Sequence, residues 1–173
     1  MFADGKNNKG YTLVELVAVI AIMVVMTGVL TLSVSIIYNE DAKRAASLID
    51  DELTEARMLS MSKSGAIALI VDTDTDPSKN KLTIMRDSSV YKEVSIDKNV
   101  LISSKLNGSS YTSPGNDIKI EFDKSTGSVA KVNDANAAAN GIYEITAVAQ
   151  KGTKPQSRVS LIVNTGRHYI EKD

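Results

Sequence analysis

The sequence predicts an α+β protein, one long N-terminal helix followed by an antiparallel β-sheet head. Three observations predict it. An uncharged apolar run extends from Leu16 to Tyr38 and passes, without a proline, into an amphipathic stretch ending near Lys63. Beyond Ser64-Gly65 the three- to four-residue apolar spacing gives way to short β-branched runs separated by turn signals. The 173 residues include no cysteine, so the head must be held by packing and hydrogen bonds rather than disulfides.

The elements follow in order. Residues 1–10 are a short basic leader containing Lys6 and Lys9 and closing on Gly10. Residues 11–38 form the apolar half of the helix. The run from Leu16 is about 23 residues long, too long for the 7–15-residue core of a secretory signal and long enough to span a bilayer. The lysines ahead of it place the N-terminus in the cytoplasm and the head outside. Glu15 stands at the start of this run, where a carboxylate is costly and is read as functional by default.

Residues 39–63 form the amphipathic half. Ala42, Ala45, Ile49, Leu53, Ala56 and Leu59 recur at helical spacing and make a stripe for the head to pack on. Glu40 and Arg44 are spaced to pair at i,i+4. From about Tyr11 to about Lys63 the helix would be about 80 Å long if unbroken. Gly28 is the sole glycine within it, a bending point or a close helix–helix contact.

Residues 64–173 make the β-rich head. Strands are expected at Ala66–Val71, Lys81–Met85, Val100–Ser103, Asp117–Phe122, Ser128–Val132, Ile142–Ala149, Arg158–Val163 and Arg167–Ile170. Asp76-Pro77, Asn107-Gly108, Pro114-Gly115-Asn116, Thr126-Gly127, Asn140-Gly141 and Thr165-Gly166 supply the turns between them.

Gly10, then Tyr11-Thr12-Leu13-Val14-Glu15-Leu16, then the apolar run, resemble the class III signal of type IV pilins and type II secretion pseudopilins. The resemblance implies a type IV pilin-like fold. It implies cleavage by prepilin peptidase between Gly10 and Tyr11, and N-methylation of the new amine on Tyr11. The missing side chain of Gly10 leaves the backbone open to a peptidase. Glu15 lies four residues beyond Tyr11, so on a continuous helix the new amine and the carboxylate share a face. Their pairing, within a subunit or across to an incoming one, would select register, because an unpaired carboxylate in apolar surroundings is costly. Family members mostly carry Phe or Met where Tyr11 stands.

Three later features narrow the resemblance. They are Leu53-Thr54-Glu55-Ala56-Arg57-Met58 followed by Gly65-Ala66-Ile67-Ala68-Leu69, then Ile120-Glu121-Phe122-Asp123 with Gly127, and the hairpin Arg158–Val163 with Gly166-Arg167. Together they resemble the GspH/FimT-like minor pseudopilins. The implied partners are prepilin peptidase, other pilin or pseudopilin subunits, an inner-membrane assembly platform and, before assembly, membrane lipid. FimT-like competence pilins contact DNA through basic residues after a terminal Gly-Arg, which carries over only to Arg167. The Glu171 and Asp173 carboxylates beyond it oppose phosphate.

Other sites are weaker. Asp72-Thr73-Asp74-Thr75-Asp76 opens like a calcium loop, but Pro77 and Thr83 stand where glycine and glutamate are needed. His168, the lone histidine, has no cysteine or second histidine to work with. No Gly-x-Ser-x-Gly elbow, phosphate loop or zinc motif is present, so neither an enzyme nor a cofactor is expected. The net charge of −1 and the dispersed basic residues argue against general nucleic-acid binding. Three alternatives stay open: a major pilin of an adhesive or motile fibre, a DNA-uptake pilin, and a single-pass anchored extracellular binding domain.

Overall fold

The computed structural model describes residues 11–62, 65–73, 76, 79–107, 109–112, 117–137, 140–150 and 156–171, with the side chains of 29–39 and 109–112 left aside. The chain divides into two units, Met1–Ile36 and Ile37–Asp173. The leader and the Pro114-Gly115-Asn116 turn lie outside the described residues.

A single helix, α1, is assigned over Leu13–Ser62. In the first unit every described side chain from Tyr11 to Gly28 is exposed. A helix apolar all round has no core of its own and needs another apolar environment. Among the described residues, a Cβ added at Gly28 would meet nothing within 4 Å. Among the described residues no helix is long and apolar enough to cross a membrane.

In the second unit the expected stripe is the buried face. Ala42, Ala45, Ile49, Leu53 and Ala56 are buried, Ala46 joins them, and Leu59 packs at the margin. Four of these residues are alanines, which let the helix backbone lie close to what it covers. The Glu40–Arg44 pairing does not form. Glu40 bonds Lys43 instead, at 3.3 Å, because the i,i+3 lysine also lies within reach.

The head holds two antiparallel sheets. The strands are β1 Ile67–Asp72, β2 Lys81–Arg86, β3 Ser89–Ser95, β4 Val100–Leu106, β5 Ser109–Thr112, β6 Ile118–Phe122, β7 Val129–Val132, β8 Ala135–Asn136, β9 Ile142–Ala149, β10 Gln156–Ile162 and β11 Arg167–Glu171. One sheet runs β3-β2-β1-β6-β7-β8 and the other β11-β10-β9-β4-β5. Their inward residues, among them Leu69, Ile84 and Ile120 from the first and Ile102, Ile145 and Leu161 from the second, share one core with Ile49 and Leu53.

All eight expected strands are present, with ends shifted by a few residues. Three strands were not expected. β3 carries no clean alternation, with Val90, Tyr91 and Val94 as its apolar residues. Its hairpin turns on Asp87-Ser88, both at positive φ (49° and 68°), with no glycine to announce it. β8 follows the similar pair Asn133-Asp134, and β5 follows Asn107.

β3 is fastened to α1 by charge. The Lys92 ammonium lies 2.6 Å from both a Glu52 and a Glu55 carboxylate oxygen. Glu52 is only 4% exposed at its side chain, and its Oε2 has no hydrogen-bond partner. The Lys92 pKa is raised, first by the hydrogen bond to Glu52 and then by that to Glu55. Its contribution is therefore complete below the ordinary 10.5 of a lysine and is lost as pH rises through the higher folded value.

Lys92→Met is expected to cost about 1–2 kcal/mol in chemical denaturation. That is less than for a fully buried pair, because solvent reaches and screens the ammonium. An unchanged midpoint would show that the pair contributes nothing.

Candidate assembly motif and turn cluster

In the first unit the helix begins at Leu13, and Thr12 caps it. The Thr12 Oγ1 accepts the Glu15 backbone N–H at 3.3 Å, and the Thr12 carbonyl accepts the Leu16 N–H at 3.2 Å. Thr12-x-x-Glu15 is a capping-box pattern that sequence reasoning passed over, because it began the helix at Tyr11. Tyr11 lies ahead of the cap, so the helical i,i+4 relation to Glu15 does not hold in this form of the chain. Gly10 lies outside the described residues.

Glu15 sits in the first turn, where the helix dipole favours a negative charge. Its carboxylate makes no hydrogen bond or ion pair among the described residues. Tyr11 is 83% exposed. The Glu15 side chain and Tyr11 are thus both exposed at the start of an apolar helix.

In the second unit the three short features that narrowed the family resemblance meet at Arg57. The Arg57 Nε donates to the Gly127 carbonyl at 2.9 Å, and its Nη2 donates to the Thr165 carbonyl at 3.1 Å. Gly127 lies in the β6–β7 turn of one sheet, and Thr165 in the β10–β11 turn of the other. One helix side chain therefore holds a turn from each sheet. A further bond, Val129 N–H to the Val163 carbonyl at 2.8 Å, joins the sheets directly.

The turns approach so closely that glycine is required. Gly166 has φ +64°, and a Cβ there would lie 1.8 Å from the Gly127 carbonyl oxygen. Gly127 has φ +68°, and a Cβ there would lie 2.7 Å from the Met61 sulfur. The β6–β7 turn is set by Asp123, whose Oδ1 accepts bonds from the amides and hydroxyls of Ser125 and Thr126. These bonds, the Ser125 hydroxyl foremost, pull the Asp123 pKa down to about 2.

His168 is the outer edge of this cluster. Its Nδ1 lies 3.2 Å from the Gly166 carbonyl, which only accepts, so Nδ1 carries the proton of the neutral ring. Its Nε2 then accepts from the Thr54 hydroxyl at 2.8 Å. The histidine ties β11 to α1, a structural role. Arg167, beside it, is exposed and lines a crevice of about 240 Å³ with Thr54, Arg57, Met58 and His168. Of the Asp72–Asp76 segment, Asp74 and Thr75 lie outside the described residues. Among those described, no group of three acidic or histidine side chains is placed to hold a metal.

Arg57→Lys is expected to destabilise the head by about 1–3 kcal/mol, since an ammonium cannot serve both carbonyls with a planar fork. Gly166→Ala should cost at least as much, from both the clash and the left-handed backbone. Denaturant midpoints check both, and near-wild-type values would refute the cluster's role. The lowered pKa of Asp123 means its turn contribution is intact above the ordinary 3.8 and is lost as pH falls through about 2. Carboxyl NMR should place its titration near that value, and a midpoint at the ordinary position would remove the hydrogen-bond argument.

Comparison with known proteins adds two findings. Residues 5–31 match the prokaryotic N-terminal methylation motif. No curated protein matches the chain in sequence. The crystal structure of the Pseudomonas aeruginosa type IV minor pilin FimU is similar in fold, with a TM-score of 0.51 and 16% identity. That similarity covers 77% of this chain and 90% of FimU. The methylation motif lies at the start of the helix, and the chain has the α+β type IV pilin-like fold seen in FimU.

Proposed function

We propose that the protein is a structural subunit, of the minor H-type, in a type IV pilus or type II secretion pseudopilus. The observation that carries the reading is the N-terminal methylation motif over residues 5–31. Prepilin peptidase removes the leader after Gly10, and Tyr11 becomes the methylated N-terminus. The apolar half of the helix holds the precursor in the inner membrane, with its N-terminus in the cytoplasm and the head outside. An assembly platform then passes the subunit into a filament of other pilins or pseudopilins.

The exposed Glu15, unpartnered among the described residues, supports a role in that transfer. Once cleavage frees the Tyr11 amine, the short segment ahead of Thr12 can bring it to a carboxylate, in the same subunit or a neighbour. The pairing relieves the cost of a lone charge in apolar surroundings and fixes which neighbour fits. The minor H-type assignment is supported by the meeting of Arg57, Gly127 and Gly166, which joins three stretches far apart in sequence.

Glu15→Ala is expected to leave membrane insertion and leader removal intact while lowering recovery in sheared filaments about tenfold or more. Incorporation at the wild-type level would refute the pairing. Retention of the variant in the cell with an uncleaved leader would instead place Glu15 in processing.

A further inference from the structure

The geometry points to a docking surface for a partner protein along the free edge of β11. We propose that this edge takes an extended partner segment whose carboxylate side chain enters the adjoining crevice. The inference is independent of the filament reading. It concerns what the head holds on its outer side.

Three observations carry it. First, β11 is the terminal strand of its sheet and pairs only with β10 among the described residues, so a row of main-chain groups faces outward. An open strand edge is a template for another strand. Second, the crevice of about 240 Å³ beside it is lined by Arg57 and Arg167, neither of which meets a carboxylate among the described residues. Arg57 spends its bonds on the uncharged carbonyls of Gly127 and Thr165. The Arg167 guanidinium makes no hydrogen bond or ion pair there. Third, the same place offers apolar contact, since Met58 in the crevice is 55% exposed and Tyr169 on the strand is 48% exposed.

The charges that face the crevice settle the sign of the partner. Asp50 lies close by, 3.9 Å from the His168 Nε2. Glu171, further along the strand, is spent on Arg158 at 2.9 Å and on the Ser160 hydroxyl. Two lining guanidinium groups, neither paired with a carboxylate among the described residues, favour an acidic side chain. A strand edge with a methionine and a tyrosine suits an extended polypeptide. It gives a nucleic acid two cations where phosphate binding relies on longer rows of them.

The test uses the full-length chain in detergent micelles. Three end-blocked peptides, alternating Val with Glu, Gln or Lys, and a single-stranded DNA oligonucleotide serve as probes. The Val/Glu peptide is expected to bind about tenfold tighter than the Val/Gln peptide, and the Val/Lys peptide more weakly still. Hydrogen exchange is expected to show new amide protection within Arg167–Glu171 on binding. Arg167→Gln should reduce the Val/Glu peptide to the Val/Gln level, and Arg167→Lys should restore much of the preference. Equal binding of the three peptides, no loss on Arg167→Gln, or protection that misses β11 would each overturn the proposal. Tighter binding of the DNA, lost on Arg167→Gln, would overturn it in favour of a nucleic acid.

Discussion

The head depends on one guanidinium. Arg57 projects from α1 and donates to Gly127 in one sheet and Thr165 in the other, at 2.9 and 3.1 Å. A half-buried carbonyl without a donor is costly, and Arg57 satisfies that of Gly127 while also reaching the exposed carbonyl of Thr165. Its planar fork holds two acceptors at fixed angles, so it sets the approach of the turns as well as stabilising them. The close contact of Gly166 with the Gly127 backbone follows from that approach and requires glycine at Gly166, while the positive φ of Gly127 favours glycine there. Asp123 completes the arrangement by shaping the turn that presents Gly127. Without the fork, the helix stripe of Ile49, Leu53 and Ala56 would still bury apolar area, but that burial is non-directional and would not fix how the two sheets meet.

The first unit poses a different problem. Its helix is exposed from Leu13 to Met26 and apolar throughout that stretch except at Glu15. Such a surface is satisfied by lipid or by other apolar helices and by little else. Thr12 and Glu15 give the helix a defined start, and the Glu15 carboxylate has no partner among the described residues. Capping and pairing are compatible. A first-turn carboxylate is favoured by the helix dipole in isolation and is open to a neighbour's cation in an assembly.

Much of this was legible in the residues, for identifiable reasons. The helix stripe shows because alanines and branched apolars recur at its period. Eight strands show because they carry apolar or β-branched runs bounded by glycine or asparagine turns. β3 does not show, because its stability comes from Lys92 meeting Glu52 and Glu55, residues some forty positions away. Its turn also uses Asp87 and Ser88 in a conformation usually marked by glycine. The division into two sheets is invisible for a related reason, since alternation tells which face is buried and not which strands are neighbours. In the candidate sites, the Thr12-x-x-Glu15 cap was readable and overlooked. The convergence of Arg57, Gly127 and Gly166 was not legible, because each is an ordinary residue until the fold brings them together.

The central claim is that this helix and head are released from a leader and enter a filament as a unit beginning at Tyr11. Intact-mass and N-terminal peptide spectrometry of the protein recovered from membranes tests it most directly. The account predicts a chain that starts at Tyr11 and carries a methyl group on its new amine. A chain that starts elsewhere, or that keeps its leader in cells with an active prepilin peptidase, would contradict it.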